Sequence, residues 1–315
     1  MDVGEGQKLY YLEWGNRKGV PFIVLHGGPG GSFDESFVAL FDPNIHHVVF
    51  FDQRGCGEST PSATGLTKEE IENTNTPTHL IKDVEIIRTR FFGNKKVNIA
   101  GGSWGSTLAL LYAIAHPQKV ASLHLWSTFL SGKAEIEETY EDRTGNPDFP
   151  LGKEWEWFIS HIPESERSSG RTVLEYLAKM VSSQDPDVAR KYAVITLVYE
   201  YALCNPPGFD IEKMKASLEA DPNLVSLARI ELIYLLNGSF IPDGYILANV
   251  DKIKHIPCHV VHGTKDWNTP LKYTRAMESA YGENCEVEVV DSGHLRSDPN
   301  MKEALQRDMR VAAKK

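Results

Sequence analysis

The chain is 315 residues long, with 41% hydrophobic and 24% charged residues and a formal net charge of −10. That length allows one large domain carrying an insertion, or two domains, with ample chain for a core. The acidic balance argues against a nucleic-acid or anionic-membrane partner, and no apolar run reaches membrane-spanning length. The N-terminal Met1-Asp2-Val3-Gly4-Glu5-Gly6 lacks the basic and apolar regions of a signal peptide. Cys56, Cys204, Cys258 and Cys285 show no CxxC spacing and read as reduced thiols of a cytoplasmic protein.

In chain order, Lys8 to Trp14 alternates as an edge strand, and Pro21 to Leu25 is a short apolar strand closed by His26-Gly27-Gly28-Pro29-Gly30-Gly31. His47 to Asp52 is another strand, closed by Gln53-Arg54-Gly55-Cys56-Gly57. Residues 58–78 read as a polar loop with a short helix from Thr67 to Glu72, and Thr78 to Phe91 has helical spacing. Val97 to Ala100 and Val120 to Trp126 are strands on either side of a helix from Thr107 to His116. Short continuous apolar strands separated by helices predict an α/β fold with a mostly parallel sheet covered on both faces.

From about 130 to 245 the short apolar strands vanish. Lys153–Ile162, Arg171–Ser182, Val188–Leu203 and Leu224–Leu236 read as amphipathic helices, and the acidic run Glu135–Asp142 as a solvated face. The pattern predicts a helical cap domain over 130–245, inserted into a catalytic core made of 1–129 and 246–315. The sheet pattern then returns as Cys258–His262 and Val287–Val290, with helices at Leu271–Tyr281 and Met301–Ala313.

The chemistry is concentrated at Gly101-Gly102-Ser103-Trp104-Gly105, a G-x-S-x-G run between a strand and a helix. A serine there stands on a sharp, strained turn with its hydroxyl exposed, and the glycines remove Cβ atoms that would clash. A serine hydroxyl needs a base and an orienting carboxylate. The order Ser103, Asp266, His294 supplies them, the acid and the base each lying in a loop just after a strand. Reactive groups in an open parallel sheet gather at such strand ends. His262 reads as a core histidine, and Asp291 and Asp243 compete with Asp266. The oxyanion formed on attack requires preorganised donors, expected from the backbone N–H of Trp104 and from the 26–31 loop at Gly28. No histidine spacing matches a metal motif, so no metal or cofactor is expected.

These runs, with Asp52-Gln53-Arg54-Gly55-Cys56-Gly57-Glu58-Ser59, Ala228-Arg229-Ile230-Glu231 and Val261-His262-Gly263, resemble the prolyl aminopeptidase (proline iminopeptidase) family of serine α/β-hydrolases over nearly the whole chain. The resemblance implies an α/β-hydrolase fold and a serine exopeptidase. It would release an N-terminal residue, preferentially proline, from small peptides through an acyl-enzyme. The family's triad falls on Ser103, Asp266 and His294, and its oxyanion donors on Gly28 and Trp104. The glutamates that hold the substrate's amino terminus correspond to Glu231 and Glu200, and an aromatic of the proline pocket to Phe129. The chain departs from the family at Trp126, where an arginine is usual, and at Tyr199, where the family has tryptophan. It also departs at Thr264-Lys265 before the acid, at Leu295 after the base, and in a longer 62–78 segment. These departures touch the substrate pocket and leave the triad intact. The alternatives are an esterase or amidase with the same triad and no need for a free amine, and a non-catalytic interaction protein on the same scaffold. Oligomeric state is open.

Overall fold

The computed structural model describes residues 1–204 and 209–312. Among the described residues nine strands form: β1 (Asp2–Gly4), β2 (Gln7–Lys8), β3 (Tyr11–Gly15), β4 (Val20–Leu25), β5 (His46–Phe51), β6 (Val97–Ser103), β7 (Val120–Thr128), β8 (Cys258–Gly263) and β9 (Cys285–Val290). The last seven make one sheet in the order β3-β5-β4-β6-β7-β8-β9, parallel throughout except for the antiparallel edge strand β3. The helices are α1 (Glu35–Val38), α2 (Lys68–Thr74), α3 (Pro77–Phe92), α4 (Trp104–Ala115), α5 (Lys133–Thr139), α6 (Gly152–Ser160), α7 (Gly170–Val181), α8 (Pro186–Cys204), α9 (Ile211–Glu219), α10 (Leu224–Leu236), α11 (Tyr245–Asn249), α12 (Leu271–Tyr281) and α13 (Pro299–Ala312).

The apolar strands are buried on both faces, as parallel strands must be when helices cover the sheet. Ile23, Leu25, Val49, Phe51 and Ile99 pack on one face, with the α3 and α4 side chains. Phe22, Val24, Val48, Phe50 and Ala100 pack on the other, against Met301, Leu305 and Met309 of α13. The helices between β7 and β8 bury a separate cluster of their own, built on Phe158, Leu174, Leu177, Val198, Tyr199 and Leu232. No single helix among the described residues is long and apolar enough to cross a membrane.

Several elements depart from the sequence pattern. The expected strand over Lys8–Trp14 breaks because its hydrogen bonds change partner: Lys8 pairs with Thr60, the Leu9 N–H bonds the Met1 carbonyl, and the Tyr10 N–H bonds the Ser59 hydroxyl. α4 starts at Trp104 rather than Thr107, directly out of the serine turn. α1, α5, α9 and α11 were hidden from periodicity, being nine residues or fewer. α11 begins at Tyr245, the last residue of the expected cap. The closing helix ends at Ala312, and Ala313 lies outside the described residues.

The acidic run 135–142 is not a uniformly solvated face. Glu135 is 1% exposed. Its Oε2 accepts the Leu130 N–H at 2.9 Å, which ties the end of β7 to the first turn of α5. Burial pushes the Glu135 carboxyl up to about 8, against the pull of the Leu130 and Gly132 N–H groups.

Candidate active site

Ser103 ends β6 at φ 54, ψ −129, and the helix begins with the next residue. A non-glycine residue in this region carries strain of about 1–3 kcal/mol, so the surroundings must hold it. Ser106 does so from the first turn of α4: its hydroxyl donates to the Ser103 carbonyl at 2.6 Å and accepts the Phe129 N–H at 3.0 Å. The flanking glycines are required by close approach. A Cβ at Gly101 would lie 2.5 Å from the Gly105 carbonyl oxygen, and one at Gly105 would lie 2.2 Å from that of Leu25.

The imidazole and the carboxylate arrive on the loops after β9 and β8. His294 Nδ1 donates to Asp266 Oδ2 at 2.8 Å. Asp266 is buried and further held by the N–H groups of Asn268 and Thr269 (3.1 and 2.9 Å) and by the Thr269 hydroxyl (2.9 Å). Burial alone would raise its pKa. The charge and hydrogen bond of His294, the charge of His262 and the Thr269 N–H outweigh that and hold Asp266 at about 2. The competing acids are engaged elsewhere: Asp291 is an exposed partner of Lys265 at 2.7 Å, and Asp243 accepts the Lys133 N–H at 2.8 Å. His262 is a core histidine, bonded to the Thr269 carbonyl and the Thr274 hydroxyl.

Ser103 and His294 line one cavity of about 330 Å³, together with Gly28, Trp126, Glu200, Glu231, Leu295 and Arg296. Gly28 has φ +105, and a Cβ there would come within 2.7 Å of the Gly30 and Gly31 nitrogens. The loop carrying it is braced to the serine turn through Gln53, which the sequence reading did not single out. His26 Nε2 accepts the Gln53 N–H, the Gln53 amide donates to the His26 carbonyl, and the Trp104 indole donates to Gln53 Oε1, each at 2.9 Å. Burial pushes His26 down to about 4, so its ring is neutral and can accept. The Trp104 side chain is fully buried, which leaves its backbone N–H, unpaired within the helix, as the group that can serve the cavity.

Glu200 and Glu231 come from α8 and α10 and are both buried. Burial raises the pKa of Glu200, opposed by hydrogen bonds from Tyr140 and Glu231. Burial also raises Glu231 well above the carboxylate range, and the Glu200 charge and hydrogen bond add to it. Glu200 also receives the Tyr140 hydroxyl at 2.5 Å. Glu231 Oε2 is buried without a partner. Two acids buried together in this way are suited to a cation with N–H donors. Tyr140 could not be found by motif, since nothing in its local sequence marks it.

Two links join the helical layer to these loops. The last carbonyls of α8, which no helical N–H can satisfy, accept the Trp267 N–H (Leu203, 3.1 Å) and the His294 N–H (Cys204, 2.7 Å). On α10, the Arg229 guanidinium donates to the carbonyls of Ala63, Thr64 and Leu66 (3.3, 2.9 and 3.2 Å). Phe129 is not brought to the cavity wall. It is buried in the hydrophobic cluster of the helical layer, while its backbone N–H and carbonyl bond Ser106 and Thr107. Trp126 does reach the cavity, and its indole occupies the space that a Cβ on Gly102 would need. Among the described residues no group of three or more His, Cys, Asp or Glu side chains is placed to hold a metal ion.

Residues 20–298 match the family described as alpha/beta hydrolase fold. The chain is 35% identical over 308 residues to the proline iminopeptidase of Neisseria gonorrhoeae, covering 97% of this chain and 92% of that one. It is 36% identical over 309 residues to the proline iminopeptidase of Arabidopsis thaliana, covering 97% of this chain and 77% of that one. Among solved structures, it resembles the proline iminopeptidase-related protein of Thermus thermophilus with a TM-score of 0.62 at 21% identity, over 99% of this chain and 95% of the other. At that identity the structural likeness speaks for the fold.

Proposed function

Because the chain belongs to the α/β-hydrolase family and, within it, to the proline iminopeptidases, we propose that it is a serine aminopeptidase releasing N-terminal proline in preference to other residues from small peptides. The observation that carries this reading is the buried Glu200–Glu231 pair in the same cavity as Ser103 and His294. An esterase has no use for two acids buried at the cost that burial imposes. An exopeptidase does, because only a substrate with a free amino terminus supplies the compensating ammonium.

In the catalytic cycle, Ser103 Oγ attacks the scissile carbonyl carbon while His294 Nε2 takes its proton, and Asp266 fixes the tautomer and stabilises the imidazolium. The negative oxygen of the tetrahedral intermediate is received by the backbone N–H groups of Gly28 and Trp104, each such donor lowering the barrier by about 3 kcal/mol. His294 then protonates the leaving amine as the C–N bond breaks. A water, deprotonated by His294, attacks the acyl-enzyme and frees the amino acid. Throughout, Glu200 and Glu231 hold the ammonium. The helices of 130–245 act as the cap that presents them, over a core of 1–129 and 246–315. Phe129 contributes to the proline pocket from behind the cavity wall. A cytoplasmic location is supported by four buried cysteines, all of them free.

The test is turnover of proline, alanine and N-acetylproline arylamides by purified protein. The unblocked proline substrate should be cleaved fastest and the acetylated one scarcely at all. Equal turnover of the blocked substrate would remove amino-terminus recognition from the account.

A further inference from the structure

The cavity holds four carboxylates, Asp34, Glu200, Asp221 and Glu231, and among its described lining residues a single lysine or arginine, Arg296. Arg296 and the glutamate pair belong to different parts of the fold. The pair hangs from α8 and α10, whereas Arg296 sits on the loop after β9, two residues beyond His294. Burial and the pair itself dominate at Glu200 and Glu231, while burial and Asp34 dominate at Arg296.

The setting of Arg296 is built. Its guanidinium carbon lies 3.5 Å from the centroid of the Phe37 ring, and Phe37 packs on Trp126 with centroids 6.0 Å apart. Its Nη2 donates to Asp34 Oδ2 at 2.9 Å, and the Arg296 side chain is 21% exposed against 60% for Asp34. Asp34 is itself occupied on its other oxygen, which accepts the Ser36 N–H at 2.8 Å and the Ser36 hydroxyl at 2.5 Å. A guanidinium has five in-plane N–H donors. Stacking on a ring uses its face and leaves the edge free, and Asp34 engages one donor. Nε is buried with no protein partner. An arginine stacked on a ring with unused edge donors at a cavity wall is suited to bidentate recognition of a carboxylate.

We propose that Arg296 anchors the C-terminal carboxylate of the substrate, so that the preferred substrates are free dipeptides rather than longer or C-terminally blocked chains. The proposal rests on the aminopeptidase reading. A dipeptide carries an ammonium for Glu200 and Glu231, a scissile carbonyl for Ser103 and, one residue on, a carboxylate for Arg296. The cavity volume, at the small end of the range of roughly 300–1,000 Å³ typical of ligand pockets, suits a molecule of that size. Asp34 then acts as a partial competitor that holds Arg296 in place and moderates its pull.

The experiment compares three substrates with one shared amino end: prolyl-alanine, prolyl-alanine amide and proline arylamide. For the wild-type protein kcat/KM should favour the free dipeptide over its amide by roughly tenfold or more, mostly through KM. In Arg296→Met that ratio should fall to near one, and Arg296→Lys should restore part of it. Asp34→Asn keeps the oxygen that caps α1 and removes the one that engages Arg296, so the ratio should rise. A wild-type ratio near one, or an undiminished ratio in folded Arg296→Met, overturns the proposal. Should Arg296→Met fail to fold, the wild-type ratio and Asp34→Asn still decide it. If the arylamide is cleaved while acid and amide are equal, the aminopeptidase reading stands and only the anchor falls. If none of the three is cleaved, that reading falls and takes the anchor with it.

Discussion

The cavity has two halves of opposite character. On the sheet side, Ser103 ends β6, and Asp266 and His294 lie on the loops after β8 and β9 with the Asp266 carboxylate fully engaged. Asp266 has three donors besides the imidazole, and the serine turn is pinned by Ser106. On the helical side, burial raises the pKa of both Glu200 and Glu231, and a Glu231 oxygen is unpaired. On the proposed function, the first half carries the reaction and the second selects for a substrate that brings a cation.

The sharpest way to break this division is Ser103→Ala. It should lower turnover of proline arylamide by about 10⁴-fold or more, read by steady-state kinetics, and leave binding of an unreactive prolyl ligand near wild type. Loss of binding would mean that the halves are not separable. Glu231→Gln attacks the other half. It should reduce kcat/KM for unblocked prolyl arylamides by roughly 100-fold while hydrolysis of a simple acyl ester persists. Parallel loss of both activities would show that the pair serves the chemistry directly.

Glu135 sits where β7 hands over to α5, between the halves, and it gives a pH test. In the unfolded chain a glutamate titrates near ~4.3; folded, Glu135 titrates at about 8. Between these values the native state holds a proton that the unfolded state has released, so stability falls as pH rises across that window. Glu135→Gln keeps an acceptor for the Leu130 N–H and removes the slope. Urea unfolding should show the variant more stable than wild type by about 4–5 kcal/mol at pH 8 and close to it at pH 4. Wild-type stability independent of pH in that window would return Glu135 to the solvated face expected from its neighbours. The smallest effect belongs to Thr269→Val, which takes one hydroxyl donor from Asp266. A loss of about fivefold in kcat, with the rate's acid limb displaced, would sharpen the claim that the Asp266 carboxylate depends on all of its donors. An unchanged profile would show the Thr269 hydroxyl to be redundant.

The same division explains what could be read from the sequence. The serine turn, the order of acid and base, and the parallel sheet were legible because each leaves a local mark: glycines where backbones touch, and apolar runs where strands are covered twice. α8, α10 and α12 were legible through length and periodicity. Partnership across the fold was not. Glu135 lies in an acidic run and is the member that burial selects. Gln53, Tyr140 and Arg296 act on residues far along the chain, and no short pattern records a contact over 51, 60 or 262 positions. Glu200 had a faint signal, an acid between two tyrosines on an apolar helix. Phe129, carried over from the resemblance, packs in the cluster of the helical layer.

Arg229 gives the arrangement a distant tuning point. Its guanidinium clasps three carbonyls of the 63–66 segment two positions before Glu231 on the same helix. An insertion or deletion in that surface segment would therefore slide α10 and carry the Glu231 carboxyl with it, altering the length of substrate that fits without changing any residue in the cavity. Natural variation in a loop remote from the reacting atoms could in this way diversify what related enzymes digest.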